Sequence, residues 1–235
     1  MRTIRVTGKG GHAEKEKWML EKMGAFFDAR LEGYEEHQLT CIESAQEFYP
    51  FTASCLPQTA GTRVLDLGCG TGLELDSYFQ TVPTAAVMGI DLAPGMLATL
   101  RRKFPDRALN LIQGSYFDVP FEENAFDAAV SVESLHHFTK EEKIPLYRKL
   151  RRALKPGAWF ILTDYFAASN EEERACRAEL QRLKKEEGIA DDNTFYHYDT
   201  PLTVEHEKEA LLEAGFSSVT VLKSWGSTNT LKASR

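Results

Sequence analysis

The run VLDLGCGTG, residues 64–72, sets an acid in front of three alternating glycines. Asp66 precedes Gly68, Gly70 and Gly72, and a helical pattern begins at Leu73. Glycines so placed let a backbone turn sharply and approach a ligand closely. A second acid, Asp91 of MGIDLAPGML, closes the next apolar run about 20 residues on, where a carboxylate can accept hydrogen bonds from both hydroxyls of a ribose. A dinucleotide fingerprint requires G-x-G-x-x-G, so that a pyrophosphate can sit on the helix N-terminus. Here position 73 is Leu, the glycines run G-x-G-x-G, and Asp66 suits a cation better than a diphosphate. The spacing describes a pocket for a nucleoside that carries an ammonium and no phosphate, and it disfavours a nicotinamide-dependent oxidoreductase.

These residues need a sheet to carry them. From Thr62 onward short apolar runs alternate with helical periodicities. RVLDLG, AAVMGI, LNLIQG, FDAAVSV and AWFILTDY read as buried parallel strands, which are covered on both faces and therefore continuously apolar. Between them Ala93, Met96, Leu97, Leu100 and Phe104 keep a helical period, as do Leu146, Tyr147, Leu150, Ala153 and Leu154 up to a stop at Lys155-Pro156-Gly157. The alternation predicts right-handed crossovers and a doubly wound α/β sheet. A helix from about Thr203 to Ala214, stopped by Gly215, leads into SSVTVLKSW and STNTLKAS, which predict an antiparallel hairpin at the sheet edge with its turn at Gly226.

Two segments stand outside this scheme. Residues 13–49 predict two helices divided near Gly33, the first presenting Met19, Leu20, Met23, Phe26 and Phe27, the second Leu39, Ile42, Ala45 and Tyr49. SNEEERACRAELQRLKKEEG, capped by Ser169 or Asn170 and ended by Gly188, predicts a charged, protruding helix within an insertion at about 167–200. Arg101, Arg102 and Lys103 are expected on solvated faces. The chain divides into an N-terminal tail and helical cap, residues 1–61, and an α/β domain, residues 62–235.

In this order the motifs resemble those of the class I S-adenosylmethionine-dependent methyltransferases, of the small-molecule-type, bacterial branch. VLDLGCGTG resembles the first motif, GIDLAPGML the second, LIQGSYFDVPF the third, and FDAAVSVESLHHF with LRRALKPGAWFILTDY the later strand motifs, across about residues 62–166. FFDARLEGYEEH resembles the segment that precedes the core in bacterial members. The resemblance implies a Rossmann-like seven-stranded sheet, with S-adenosyl-L-methionine as cofactor and S-adenosyl-L-homocysteine as product. It places Asp66, Gly68, Cys69 and Gly70 along the methionine end, Asp66 near the ammonium, Asp91 on the ribose and Leu92 against the adenine. Where the family often has an acid after the third motif's glycine, this chain has Ser115, so the adenine contact falls to the Ser115 hydroxyl or the Tyr116 amide. Asp118 aligns with a second acid of that motif.

Several residues carry two readings. Glu133, His136 and His137 follow the fourth strand, at the carboxyl edge where ligands bind; one of them acts as a base or acceptor ligand, or the histidines only shape the loop. Tyr34 covers the methionine moiety or packs as an aromatic. Cys69 is a reactive thiol beside a helix N-terminus or a small residue in a tight loop. Phe195, Tyr196, His197 and Tyr198 line an acceptor pocket, with Tyr198 a catalytic candidate, or fasten the insertion to the sheet. Methyl transfer from a sulfonium is an in-line displacement, served mainly by positioning and exclusion of water. A base matters only when the acceptor arrives protonated.

A charge of −7, from 28 basic and 35 acidic residues, excludes a surface built for polyanions, so the expected partner is a small-molecule acceptor and not a nucleic acid. No run approaches the roughly 20 apolar residues of a membrane span, and MRTIRVTGKGG lacks the apolar stretch of a secretory signal, which makes a cytoplasmic address the expectation. Four cysteines without a C-x-x-C pair, and no Cys/His cluster at ligand spacing, predict neither disulfides nor a bound metal. Two rival functions share the cofactor motifs: an enzyme using a modified S-adenosylmethionine, of the carboxymethyl type, and a non-catalytic S-adenosylmethionine-binding protein.

Overall fold

Five of the apolar runs pair in parallel in the computed structural model, which describes residues 19–189 and 194–235. They are β1 (Arg63–Leu67), β2 (Ala86–Asp91), β3 (Ala108–Gln113), β4 (Phe126–Val132) and β5 (Leu154–Tyr165). β6 (Ser218–Trp225) and β7 (Thr228–Ser234) form the antiparallel hairpin, and β7 docks antiparallel on β5. The order β3-β2-β1-β4-β5-β7-β6 is that of a doubly wound, Rossmann-like α/β fold. It reverses between β1 and β4, which opens a crevice at the carboxyl ends of those strands. β3 departs from the expected full burial: as an edge strand it leaves alternate residues exposed.

Each face of the sheet has its own apolar layer. On one, α3 (Ala45–Ser54), α4 (Leu73–Thr81) and α5 (Pro94–Lys103) bring Phe48, Leu75, Tyr78 and Leu100 onto Val64 and Ile161. On the other, α6 (Lys140–Ala153) and α8 (Val204–Glu213) bring Leu146, Tyr147, Leu150 and Leu211 onto Leu65 and Phe160. A buried ion pair joins these last two helices, Lys143 Nζ to Glu207 Oε2 at 2.6 Å, and the Tyr147 hydroxyl donates to the same carboxylate. α6 opens on a capping box between Thr139 and Glu142.

The N-terminal region differs from the two helices its period predicts. Among the described residues it holds three, α1 (Met23–Asp28), α2 (Tyr34–Cys41) and α3; the expected helical residues 13–18 lie outside the described residues. The break falls where Ile42 is extended and Ser44 takes φ +62°. This turn lets α3 lay Thr52 against the sheet, its Oγ1 2.5 Å from Thr163 Oγ1, which in turn lies 2.8 Å from Thr230 Oγ1. Tertiary packing has overridden an apolar stripe that would run on through Leu39, Ile42, Ala45 and Tyr49. Lys155-Pro156-Gly157 likewise belongs to β5 rather than to a helix stop, with an irregular register between Phe126 and Ala128.

Two charged segments are less solvated than expected. α7 (Asn170–Glu186) is capped by Ser169, but its Glu173 is buried and accepts the Thr203 N–H, 2.8 Å away, while pairing with Arg177. Lys103 bridges Glu35 of α2 at 2.8 Å and Asp76 of α4 at 2.6 Å, tying the N-terminal helices to the sheet layer.

Candidate active site

β1 delivers the chain into a turn in which Gly68 has φ +75° and Gly70 has φ +48°. A Cβ on Gly68 would stand 2.0 Å from Ser134 Oγ, so only glycine fits. At Gly70 a Cβ would meet nothing nearer than Tyr34 Oη at 4.0 Å, so the backbone faces open space under the α2 tyrosine. The Gly70 N–H donates to Asp91 Oδ2 at 2.9 Å, and the Ala93 N–H donates to Oδ1 at 2.8 Å. Asp91 thereby locks the first motif to the second. Cys69 is buried, its Sγ filling the space where a Cβ on Gly89 would come within 2.8 Å. Burial pushes its thiol well above the ordinary range, which favours the packing reading over the nucleophile.

Beneath the turn lie two carboxyl groups, Asp66 at 1% and Glu74 at 4% exposure. They are close neighbours, and burial followed by the Glu74 carboxyl holds Asp66 well above the usual carboxylate range. Glu74 is also raised by burial, with the proximity of Asp66 opposing. Among the described residues Asp66 Oδ2, Glu74 Oε1 and Thr71 Oγ1 have no hydrogen-bond partner. Such groups are costly unless something polar meets them. Tyr34 and Tyr49 roof this small pocket, with Val132 at its side. Burial, then Asp91 and Glu74, pushes the Tyr34 hydroxyl far up, so it stays a neutral phenol. Sequence reasoning missed Glu74 and Tyr49; the acid in the first turn of LELDS was the available signal for the former.

The second pocket, a cleft of about 430 Å³, brings together Leu92, Ser115 and Asp118 beneath Met23 and Gly24 of α1 and beside Phe195. The Ser115 hydroxyl accepts the Phe117 N–H at 3.1 Å, which shapes the third motif's turn. The Tyr116 ring points inward, with its hydroxyl 3.3 Å from the Ser134 carbonyl oxygen. α1 is held over the cleft by its neighbours. Asp28 Oδ1 accepts the Gly95 N–H at 2.9 Å, at the N-terminus of α5. The Met23 N–H donates to the Phe195 carbonyl and the His197 N–H to the Glu21 carbonyl, both at 2.9 Å, and Phe26 stacks on His197 at 3.5 Å. The aromatic segment therefore does fasten the insertion, to α1 as well as to Phe117 and Phe138.

Across the crevice, Glu133 takes φ +48° just beyond β4, and a short 3₁₀ turn, Leu135–His137, carries both histidines. His136 Nδ1 lies 2.5 Å from Asp164 Oδ1 at the end of β5. Its Nε2 is 3.4 Å, and His137 Nδ1 3.3 Å, from Asp199 Oδ1. Burial works to lower the His136 imidazole, but Asp164 and Asp199 raise it well above its ordinary value. Burial followed by His136 lowers His137. Burial and Asp164 push Glu133 up to about 8. Of Tyr198 only the carbonyl reaches this cluster, 3.2 Å from His137 Nδ1; its hydroxyl is raised by burial and then by Glu179 and Cys176, on the α7 side. Asp164 and Asp199 escaped the sequence reading, although an acid ending WFILTDY at a strand's carboxyl end was a usable signal for the first.

The family described as a methyltransferase domain matches residues 65–162. The chain is 29% identical over 191 residues to a biotin biosynthesis bifunctional protein of Teredinibacter turnerae, a match covering 77% of this chain and 30% of that protein. It is 31% identical over 156 residues to a demethylmenaquinone methyltransferase of Symbiobacterium thermophilum, covering 63% and 59%. The matched domain and these relatives support a class I S-adenosylmethionine-dependent methyltransferase. The chain shares its fold with an S-adenosylmethionine-dependent methyltransferase of Mesorhizobium loti, at a TM-score of 0.58 and 20% identity over 79% of this chain and 96% of that one. It spans less than two thirds of the length of either curated relative. The family match runs from β1 to β5 and so takes in the glycine turn, Asp91 and the histidine turn, while the N-terminal helices, α7 and the hairpin lie outside it. Among the described residues no helix is long and apolar enough to cross a membrane.

Proposed function

We propose that this chain holds S-adenosylmethionine across the glycine turn and the tip of β2, and transfers its methyl group to a small-molecule acceptor at the carboxyl ends of β4 and β5. The observation that carries the reading is the pair of unpartnered carboxyl oxygens, Asp66 Oδ2 and Glu74 Oε1, under a turn whose open side faces Tyr34. A buried pair of neighbouring acids is matched by a cationic ligand and mismatched by a phosphate. In this assignment Asp66 and Glu74 face the ammonium, and Asp91, already oriented by two backbone N–H groups, offers its remaining lone pairs to the ribose. Leu92 packs on the adenine, with Ser115 and Asp118 at its polar edge.

Bound there, S-adenosylmethionine supplies a methyl group activated by the adjacent sulfonium. The chain's residues position and shield. Tyr34 and Tyr49 exclude water from the glycine turn, and the α1 contacts with Phe195 and His197 close the adenine side. The demethylmenaquinone methyltransferase among the relatives is named for a small-molecule acceptor, which supports one here. Titration calorimetry with S-adenosylmethionine and S-adenosylhomocysteine, and with NAD as control, tests the reading: binding of the first two without the third is expected, and no binding by either would overturn it.

A further inference from the structure

We propose that His136, His137 and Asp199 form a divalent transition-metal site that fastens the end of the insertion to the turn after β4. The donors come from segments about 60 residues apart yet converge on one oxygen, Asp199 Oδ1, which is 3.4 Å from His136 Nε2 and 3.3 Å from His137 Nδ1. Nitrogen and oxygen donors bonded at about 2.0–2.1 Å in a tetrahedron stand about 3.3–3.4 Å apart. Both separations have that length. The Tyr198 carbonyl oxygen, hydrogen-bonded to His137 Nδ1 at 3.2 Å, holds that ring at the edge of the cluster, and water can complete the coordination.

The surroundings fit a metal-bound imidazole. Such a ring normally gives its other N–H to a carboxylate, and His136 Nδ1 faces Asp164 Oδ1 at 2.5 Å. Asp164 is itself fixed by the N–H groups of Leu135 and Tyr165, at 2.8 and 2.9 Å. Glu133, Asp164 and Asp199 crowd into this space, and among the described residues no Lys or Arg forms an ion pair with any of them. His136 is the cationic group these acids face in the free chain, and a divalent ion bound between the imidazoles and Asp199 would take over that role. Two imidazoles in the donor set select a zinc-class ion over magnesium or calcium, which prefer oxygen alone. This site revises the expectation of no metal, which rested on local Cys/His spacing that cannot register a ligand so far along the chain.

Cobalt(II), a spectroscopic stand-in for zinc, tests the site on the purified chain without knowledge of the acceptor. One equivalent should develop the intense visible d–d absorption of a four-coordinate ion, zinc should bleach it, and stoichiometric zinc should raise the melting temperature. Asp164→Asn should weaken cobalt binding roughly 10- to 100-fold. Asp199→Asn should weaken it more; its side chain is 42% exposed, so the exchange disturbs no packing, and circular dichroism confirms the fold. His37→Gln, a histidine elsewhere, should bind as the parent does. Absence of the absorption in the parent chain, or parent-like binding by both Asp199→Asn and His137→Ala, would overturn the proposal.

Discussion

Gly68 to Glu74 and the cluster around His136 face the same crevice but are built by different means. The first is one continuous stretch whose shape comes from backbone: positive φ at glycines, N–H groups donated to Asp91, and a turn into α4. The second is assembled from three separate segments, the turn after β4, the end of β5 and the far end of the insertion, and its shape comes from side chains meeting side chains. A backbone-built site tolerates no added atom, whereas a side-chain-built site tolerates isosteric change but loses charge balance. Each of the following measurements would break or sharpen that contrast.

The largest effect belongs to Gly68→Ala. A left-handed non-glycine costs about 1–2 kcal/mol, and overpacking against Ser134 Oγ adds about 1–3 kcal/mol. Urea denaturation should report the sum together with loss of cofactor binding; a stable, binding variant would mean that the turn is not backbone-determined. Next comes Asp91→Ala, expected to weaken S-adenosylmethionine binding by about 1.5–3 kcal/mol by calorimetry, with unchanged affinity removing the ribose assignment.

The pH response of the acid pair should be smaller but diagnostic. Asp66 and Glu74 are both raised in the folded chain, so the free protein loses stability as pH climbs from the ordinary carboxylate range into the raised one. A bound cation favours the ionised forms and offsets that loss. S-adenosylmethionine affinity should therefore rise with pH across this range, and binding should release protons, measurable as a dependence of the calorimetric heat on buffer ionisation. Flat affinity without proton release would sink the ammonium assignment. The smallest expected effect is that of Asp199→Asn on cofactor affinity, less than about 0.5 kcal/mol if the two regions are energetically independent; a larger change would show that they are coupled.

The same contrast explains what could be read from the chain. The strands themselves, the edge hairpin, the glycine turn and the acid that ends β2 were legible because each is a local pattern with a fixed period or spacing. Asp66 was legible for the same reason, but its partner Glu74 was not, since an acid in the first turn of a helix is ordinary whether it faces solvent or core. The convergence of Asp199 on two histidines has no local signature at all. Lys103 shows the limit of helical periodicity, which marks a polar face but not the acids that fold over it from α2 and α4.

Helix α3 has a practical consequence for where a minimal version of this chain can be cut. Phe48, 0% exposed, sits in one apolar layer with Leu75, Tyr78 and Ile161, and Thr52 completes a hydroxyl chain that runs through β5 to β7. A fragment starting at Thr62, where the strand–helix alternation begins, would open that layer to water and strand the Thr163 side of the chain. A fragment that keeps Ala45 onward should therefore unfold at a higher urea concentration than one cut at the motifs alone.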